Sequence, residues 1–182
     1  PEMLEATLAT SIVKRAQDGW YVEIHVHDIR DWADNKHRKV DDRQYGGGPG
    51  MVMMCQPLHD AVQEVERQLN SPECSPVRIH FTPQGEVLKQ ERVEQLAAEK
   101  NLLLIAGHYE GIDERVIQTL DPLELSTGDY VLSGGEIPAL LLVDAVVRLL
   151  PGVLGHADSA DQDSFSKRGS EGKRLLDCPH YT

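Results

Sequence analysis

Residues able to do chemistry gather in one run, Gly107 to Pro138, which reads GHYEGIDERVIQTLDPLELSTGDYVLSGGEIP. Gly107 follows the apolar Leu102-Leu103-Leu104-Ile105-Ala106, and Gly134-Gly135 close a strand-like Asp129 to Leu132. Glycine at a strand end lets backbone come close to a ligand or take a turn with positive φ. Two such turns in one α/β domain point to a cleft at the carboxyl ends of strands, where open sheets bind small molecules. Further along, Asp163 and Arg148 are candidates for a base and an electrophilic partner. Composition does not select Asp163 over Asp158, Asp161 or Asp177.

Other constellations narrow the chemistry. Tyr45-Gly46-Gly47-Gly48-Pro49-Gly50-Met51 invites a phosphate-loop reading, with backbone N–H groups cradling an anion. No Lys-Ser/Thr pair follows, and the spacing is neither the P-loop nor the G-x-G-x-x-G pattern, so a Rossmann-held cofactor is not expected. Thr82-Pro83-Gln84-Gly85 reads as a tight turn directly after the strand Val77 to Phe81, again at a carboxyl end. His25 and His27 share a strand face with no carboxylate or cysteine at ligand spacing, so an exposed strand face, not a metal site, is expected.

The elements that must position these residues follow from periodicity. Residues 2–17 read as one amphipathic helix with Leu4, Leu8 and Ile12 on a stripe, and Trp20 to Ile29 alternates as a half-buried strand. Residues 30–50 form a loop too long to be idle. Pro57 opens a helix turning Leu58, Val62, Val65 and Leu69 inward. Then come the strand Val77 to Phe81, a helix near Glu91 to Lys100, the strand Leu102 to Ala106 and a helix near Asp113 to Thr119. Short strands at Leu123 to Ser126 and Asp129 to Leu132 precede a buried helix from Glu136 to Leu150. Strands alternating with helices imply parallel βα units, with three ligand-side loops after Phe81, Ala106 and Leu132. His156 to Gly172 has the composition of a linker.

At 182 residues, with 40% hydrophobic and 26% charged residues, the chain suits one main soluble domain without a membrane span. Cys55, Cys74 and Cys178 are too scattered for a disulfide framework or a zinc site and fit free thiols in a reducing cytoplasm. A net charge of -12 argues against a non-specific grip on nucleic acid. Two basic clusters, Lys36, Arg38, Lys39 and Arg43, and Lys167, Arg168, Lys173 and Arg174, are the local exceptions.

Four segments together carry a resemblance. Tyr45 to Met51, Gly107 to Arg115, Gly128 to Glu136 and Asp177 to Thr182 closely resemble the bacterial tRNA (guanine-N1)-methyltransferase family, over nearly the whole chain. The resemblance implies a SPOUT-type α/β fold, a mostly parallel sheet flanked by helices with a carboxyl-terminal deep trefoil knot, and an obligate homodimer with its active site at the interface. It implies S-adenosylmethionine held by Thr82 and Pro83, by Gly107, Tyr109 and Glu110, and by Thr127, Gly128, Asp129, Tyr130, Val131 and Leu132 with Gly134, Gly135 and Pro138. The implied reaction methylates N1 of the guanine 3′ of the anticodon, with Asp163 as the base and Arg148 as the cation at O6. Asp41, Asp42 and Arg43 with Gly48, Pro49 and Gly50 would frame the flipped base, and the family is associated with magnesium. It further implies a methyltransferase domain at residues 1–155 lacking the family's first strand. Residues 156–182 would be an interdomain linker, Ser166 to Arg174 being longer than usual, with no helical tRNA-binding domain after it. The second reading is a truncated, non-catalytic module of the same fold that dimerises or binds RNA; loss of cofactor binding would favour it.

Overall fold

The computed structural model describes residues 2–69, 75–154, 163–168 and 173–179. Cys74, Asp158, Asp161 and the closing His180-Tyr181-Thr182 lie outside the described residues.

The centre is a three-stranded parallel sheet ordered β4-β3-β5, from β3 (Val77–Val87), β4 (Leu102–Ile105) and β5 (Leu123–Ser126). The expected parallel βα pattern holds: Val77 pairs with Leu102 through to His80 with Ile105, and Ile79 to Phe81 run beside Leu123 to Leu125. Both faces are covered, and β4, Leu102-Leu103-Leu104-Ile105, reads as the continuous apolar run of a strand buried on both sides, whereas β3 and β5 alternate apolar residues with Arg78, His80 and Glu124. Leu102 and Leu104 face a layer made by α4 (Gln90–Ala97) and α6 (Glu136–Val147), packed through Val93, Leu96, Ala139 and Leu142 on Ile79, Phe81 and Leu125. Leu103 and Ile105 face the opposite layer, α3 (Cys55–Gln68) and α5 (Glu114–Leu120), packed through Leu58, Val62, Val116 and Leu120. Each fully buried leucine contributes roughly 1.5–3 kcal/mol of transfer free energy.

Several boundaries differ from the sequence reading. The single helix over 2–17 is two, α1 (Glu2–Leu8) and α2 (Ser11–Asp18), broken where Thr10 turns extended and Ser11 takes φ 51. Thr and Ser compete for backbone partners and favour helix starts over interiors, and here the Gln17 side chain donates to the Leu8 carbonyl across the break. The break rephases the stripe, so Val13 and Ala16 join Leu8 in the core.

Trp20 to Ile29 is not a strand. Val22, Ile24 and Val26 are half-buried and the residues between them exposed, but no strand pairs with the segment among the described residues. Alternation reports one packed face; a strand also needs a backbone partner. The segment ends in a 3₁₀ turn, Ile29–Trp32, capped by the Asp28 carboxylate accepting from the Arg30 amide. The long loop closes as a hairpin, β1 (Asp41–Asp42) antiparallel to β2 (Val52–Met53), with the glycine run at its tip.

Helix α3 starts at Cys55, ahead of Pro57, and its last expected inward residue, Leu69, is exposed. Helix α4 stops at Ala97, and β4 at Ile105. Helix α6 stops at Val147 and is not buried all round: Ile137 and Leu141 are exposed. The linker-like carboxyl segment contains a small hairpin, β6 (Lys167–Arg168) with β7 (Lys173–Arg174).

Candidate active site

Two loops follow β4 and β5, the strands flanking β3, and another interrupts β3 itself; those in β3 and after β5 differ from the sequence reading. Thr82 to Gly85 is not a turn ending a strand but an excursion inside β3: Phe81 and Glu86 both pair with Leu125, so the residues between leave the ladder. Asp129 to Leu132 is not a strand either. Gly128, at φ 143, bends the chain out of β5, and the Tyr130 amide and hydroxyl fold back onto the Gly128 and Thr127 carbonyls at 2.9 and 3.1 Å. The third loop therefore follows Ser126, runs from Thr127 to Gly135, and leaves Tyr130, Val131 and Leu132 exposed.

The two glycine turns touch. The Gly135 amide donates to the Gly107 carbonyl at 2.7 Å, His108 bridges Gly134 across an isolated antiparallel pair, and His108 Nε2 lies 3.5 Å from Glu136 Oε1. A Cβ at Gly135 would stand 2.8 Å from both Ala106 Cα and Gly107 N, so only glycine permits this approach. Pro138 is buried in the first turn of α6, where its fixed φ suits the helix start.

The hairpin joins the same site. β2 runs along the loop after β4: the Met53 amide donates to Gly111 O at 2.9 Å, the Glu110 amide to Met51 O at 2.9 Å, and the Asp113 amide to Met53 O at 3.0 Å. This brings Gly50 against the Glu110 carboxylate. It also brings Asp41 to Tyr109, whose phenol is pushed above its ordinary pKa by burial and then by the Asp41 charge, with Arg30 opposing. The Gln44 side chain closes the glycine tip on the Pro49 carbonyl at 3.2 Å, beside Gly48, and the Arg43 amide donates to Asp42 Oδ1 at 2.7 Å. Asp113 fixes the far end of the loop by capping α5, accepting from both the amide and the guanidinium of Arg115, which holds its carboxyl well below the usual carboxylate range.

Arg148 follows the last turn of α6, and its Nη2 donates to Asp163 Oδ2 at 2.5 Å, with both side chains about half exposed. Asp163 is thus an aspartate that the arginine contacts among the described residues. No group of three or more His, Cys, Asp or Glu among the described residues is placed to hold a metal ion. An open groove of about 760 Å³ beside α3, lined by Asp31, Trp32, Asp60, Glu64 and Arg67, lies off these loops.

Two residues here escaped the sequence reading. One is Glu94 on α4, which accepts both Nη groups of Arg174 at 2.6 and 2.7 Å, so that a cation expected at a solvated basic loop is instead tied to the body of the domain. The other is His80 of β3, only 7% exposed, set below Gly107 with Nδ1 3.4 Å from Glu124 Oε1. A polar residue inside the apolar Val77 to Phe81 was the available signal. Burial pushes the His80 pKa down, with Glu124 partly opposing. Below the unperturbed value of 6.5 the unfolded chain takes a proton that folded His80 resists, so stability falls as pH drops through that value. His80→Gln is expected to shrink the loss of urea midpoint between pH 7.5 and 5.5; an unchanged pH dependence would contradict this.

Comparison with known proteins agrees with the geometry. The profile of the family described as tRNA (Guanine-1)-methyltransferase TrmD matches residues 1–182. Relatives named tRNA (guanine-N(1)-)-methyltransferase include that of Chromohalobacter salexigens, 51% identical over 100% of this chain and 67% of its own length. Another, from Pseudoalteromonas atlantica, is 50% identical over 100% of this chain and 65% of its own length. The chain therefore spans about two thirds of the length of the curated relatives it matches. The crystal structure of tRNA (m1G37) methyltransferase from Aquifex aeolicus superposes with a TM-score of 0.77 at 39% identity, covering 86% of this chain and 68% of that one. The chain belongs to the tRNA (guanine-1)-methyltransferase family.

Proposed function

We propose that this chain moves the methyl group of S-adenosylmethionine to N1 of the guanine 3′ of the anticodon in tRNA, on a SPOUT-type fold with a carboxyl-terminal trefoil knot. The observation that carries the reading is the Gly135–Gly107 junction of two strand-end turns in the same chain as a solvent-open Arg148–Asp163 pair. The residues present suit the cofactor. Gly107 and Gly135 allow close backbone approach, exposed Tyr109, Tyr130, Val131 and Leu132 offer apolar surface to a flat ring, and Glu110 and Asp129 supply negative charge toward a cation. Thr82 and Pro83 form the rim on β3.

When bound, S-adenosylmethionine supplies a methyl group activated by positive sulfur, and the electron pair of the broken C–S bond stays on sulfur. Asp163 accepts the proton of guanine N1, freeing the electron pair that forms the new N–C bond. Arg148 offers its guanidinium to the negative charge that spreads to O6. Asp41, Arg43 and the Gly48-Pro49-Gly50 turn frame the flipped guanine, whose edge is hidden while it is stacked. Holding both reactants in line supplies much of the remaining acceleration.

The proposal includes a homodimer with the site at its interface. Helix α6 is apolar around most of its circumference yet leaves Ile137 and Leu141 exposed, a face that a second copy would bury. Residues 1–155 are proposed as the catalytic domain and 156–182 as the segment leading out of it, in a cytoplasmic protein; no helix among the described residues is long and apolar enough to cross a membrane.

Labelled methyl transfer to a tRNA with guanine 3′ of the anticodon, run beside calorimetric cofactor binding and sedimentation equilibrium, tests the reading. Transfer by a dimer is expected. Cofactor binding without transfer would support a non-catalytic module instead, and a monomer that transfers would remove the shared site.

A further inference from the structure

We propose that Glu94 and Arg174 are positioning residues for methyl transfer: their bidentate ion pair docks on α4 the turn that presents Asp163 to Arg148. The inference rests on the reading above in one respect, that Asp163 is the base.

The turn is stitched to the strand that carries Arg174. The Phe165 amide donates to Leu175 O at 2.7 Å, the Asp177 amide to Ser164 Oγ at 2.9 Å, and Ser166 Oγ to Asp163 O at 2.7 Å. Arg174 Nη1 also donates to the Phe165 carbonyl at 2.7 Å, so one guanidinium grips the turn and α4 together. Phe165 sits at φ 66, a conformation that persists only when its surroundings enforce it.

Helix α4 is a firm anchor, since Val93 and Leu96 beside Glu94 are in the main core. The Glu94–Arg174 pair is two parallel N–H···O bonds at 2.6 and 2.7 Å, a fork that fixes orientation as well as distance. The Arg148–Asp163 bond is a single contact between half-exposed groups, a kind of pair that contributes little by itself. A base must be held to within about 1 Å, because such a misplacement costs on the order of 10²-fold in rate. The clamp also removes Arg174 from the pool of phosphate-binding cations, since Glu94 already accepts from both its terminal nitrogens.

The test is steady-state methyl transfer by the full chain carrying Glu94→Gln, Arg174→Lys, or the swap Glu94→Arg with Arg174→Glu, with Glu94→Gln repeated in an Asp163→Asn background. Hydrogen exchange of the Phe165 and Asp177 amides is followed in parallel. Expected are a kcat lowered about 10- to 100-fold with the cofactor KM unchanged, partial recovery in the swap, faster exchange of both amides, and little further loss from Glu94→Gln once Asp163 is gone. Unchanged kcat and exchange, or losses that add in full to Asp163→Asn, would overturn the positioning role. An Asp163→Asn chain that turns over normally would instead remove the base assignment itself, and the proposal with it.

Discussion

Asp163→Asn is expected to bind S-adenosylmethionine as the parent chain does and to lose methyl transfer by about 10²–10⁴-fold, the range general-base groups contribute. The substitution keeps shape and keeps an oxygen to accept from Arg148, whose Nη2 lies 2.5 Å from the present carboxylate. What it removes is the capacity to take the guanine N1 proton. Cofactor contacts are assigned to the excursion within β3 and to the loops after β4 and β5, and Asp163 belongs to none of them. A loss confined to kcat, with calorimetric affinity retained, separates a base from a binding residue. Undiminished turnover would take Asp163 out of the mechanism, and Arg148 would then have to be reassigned with it.

The legible part of this chain was the part where packing and sequence period coincide. Leu102 to Ile105 is a short apolar run covered on both faces, and Val77 to Phe81 and Leu123 to Ser126 alternate apolar residues that pack into one core layer, so the sequence marks all three as strands of the parallel sheet. The period was a poorer guide where a partner decides the outcome. Val22, Ile24 and Val26 alternate as a strand would, but alternation cannot say whether a neighbour pairs with the backbone. Gly128 marked a bend, yet whether Asp129 to Leu132 would run as a strand beyond it depended on backbone geometry that residue types do not encode.

In the site, motif runs located the loops, and the resemblance assigned their roles. The contact of Gly135 with Gly107 and that of Arg148 with Asp163 are long-range facts that no local pattern carries. Glu94 was invisible for the same reason. Its partner Arg174 lies in a basic loop that reads as solvated, and the two meet only because the chain turns back over α4.

Gly135→Ala is the second substitution expected to have a large effect, and the reason is space rather than backbone angle. Gly135 sits at φ -80 and ψ -4, a conformation alanine adopts freely, and it is the N-cap of α6, where alanine is a poorer cap than glycine. Backbone angle alone would leave the change nearly neutral. Against it stand Ala106 Cα and Gly107 N, each 2.8 Å from the added Cβ, and neither is a side chain that can rotate away. Separating the two turns costs roughly 1–3 kcal/mol of overpacking and about 0.5–1.5 kcal/mol for the amide bond to Gly107 O. The steric loss adds to the poorer cap, so thermal stability is expected to fall. If the junction builds the cofactor cradle, S-adenosylmethionine affinity falls further than stability does, by tenfold or more, equivalent to about 1.4 kcal/mol. Gly46→Ala is the control: it imposes strain at φ +86, but its Cβ meets nothing within 4 Å and it lies at the hairpin tip. Cofactor affinity lost equally in both variants would mean that binding tracks global stability, and that the Gly107–Gly135 junction is a packing contact rather than the wall of a ligand site.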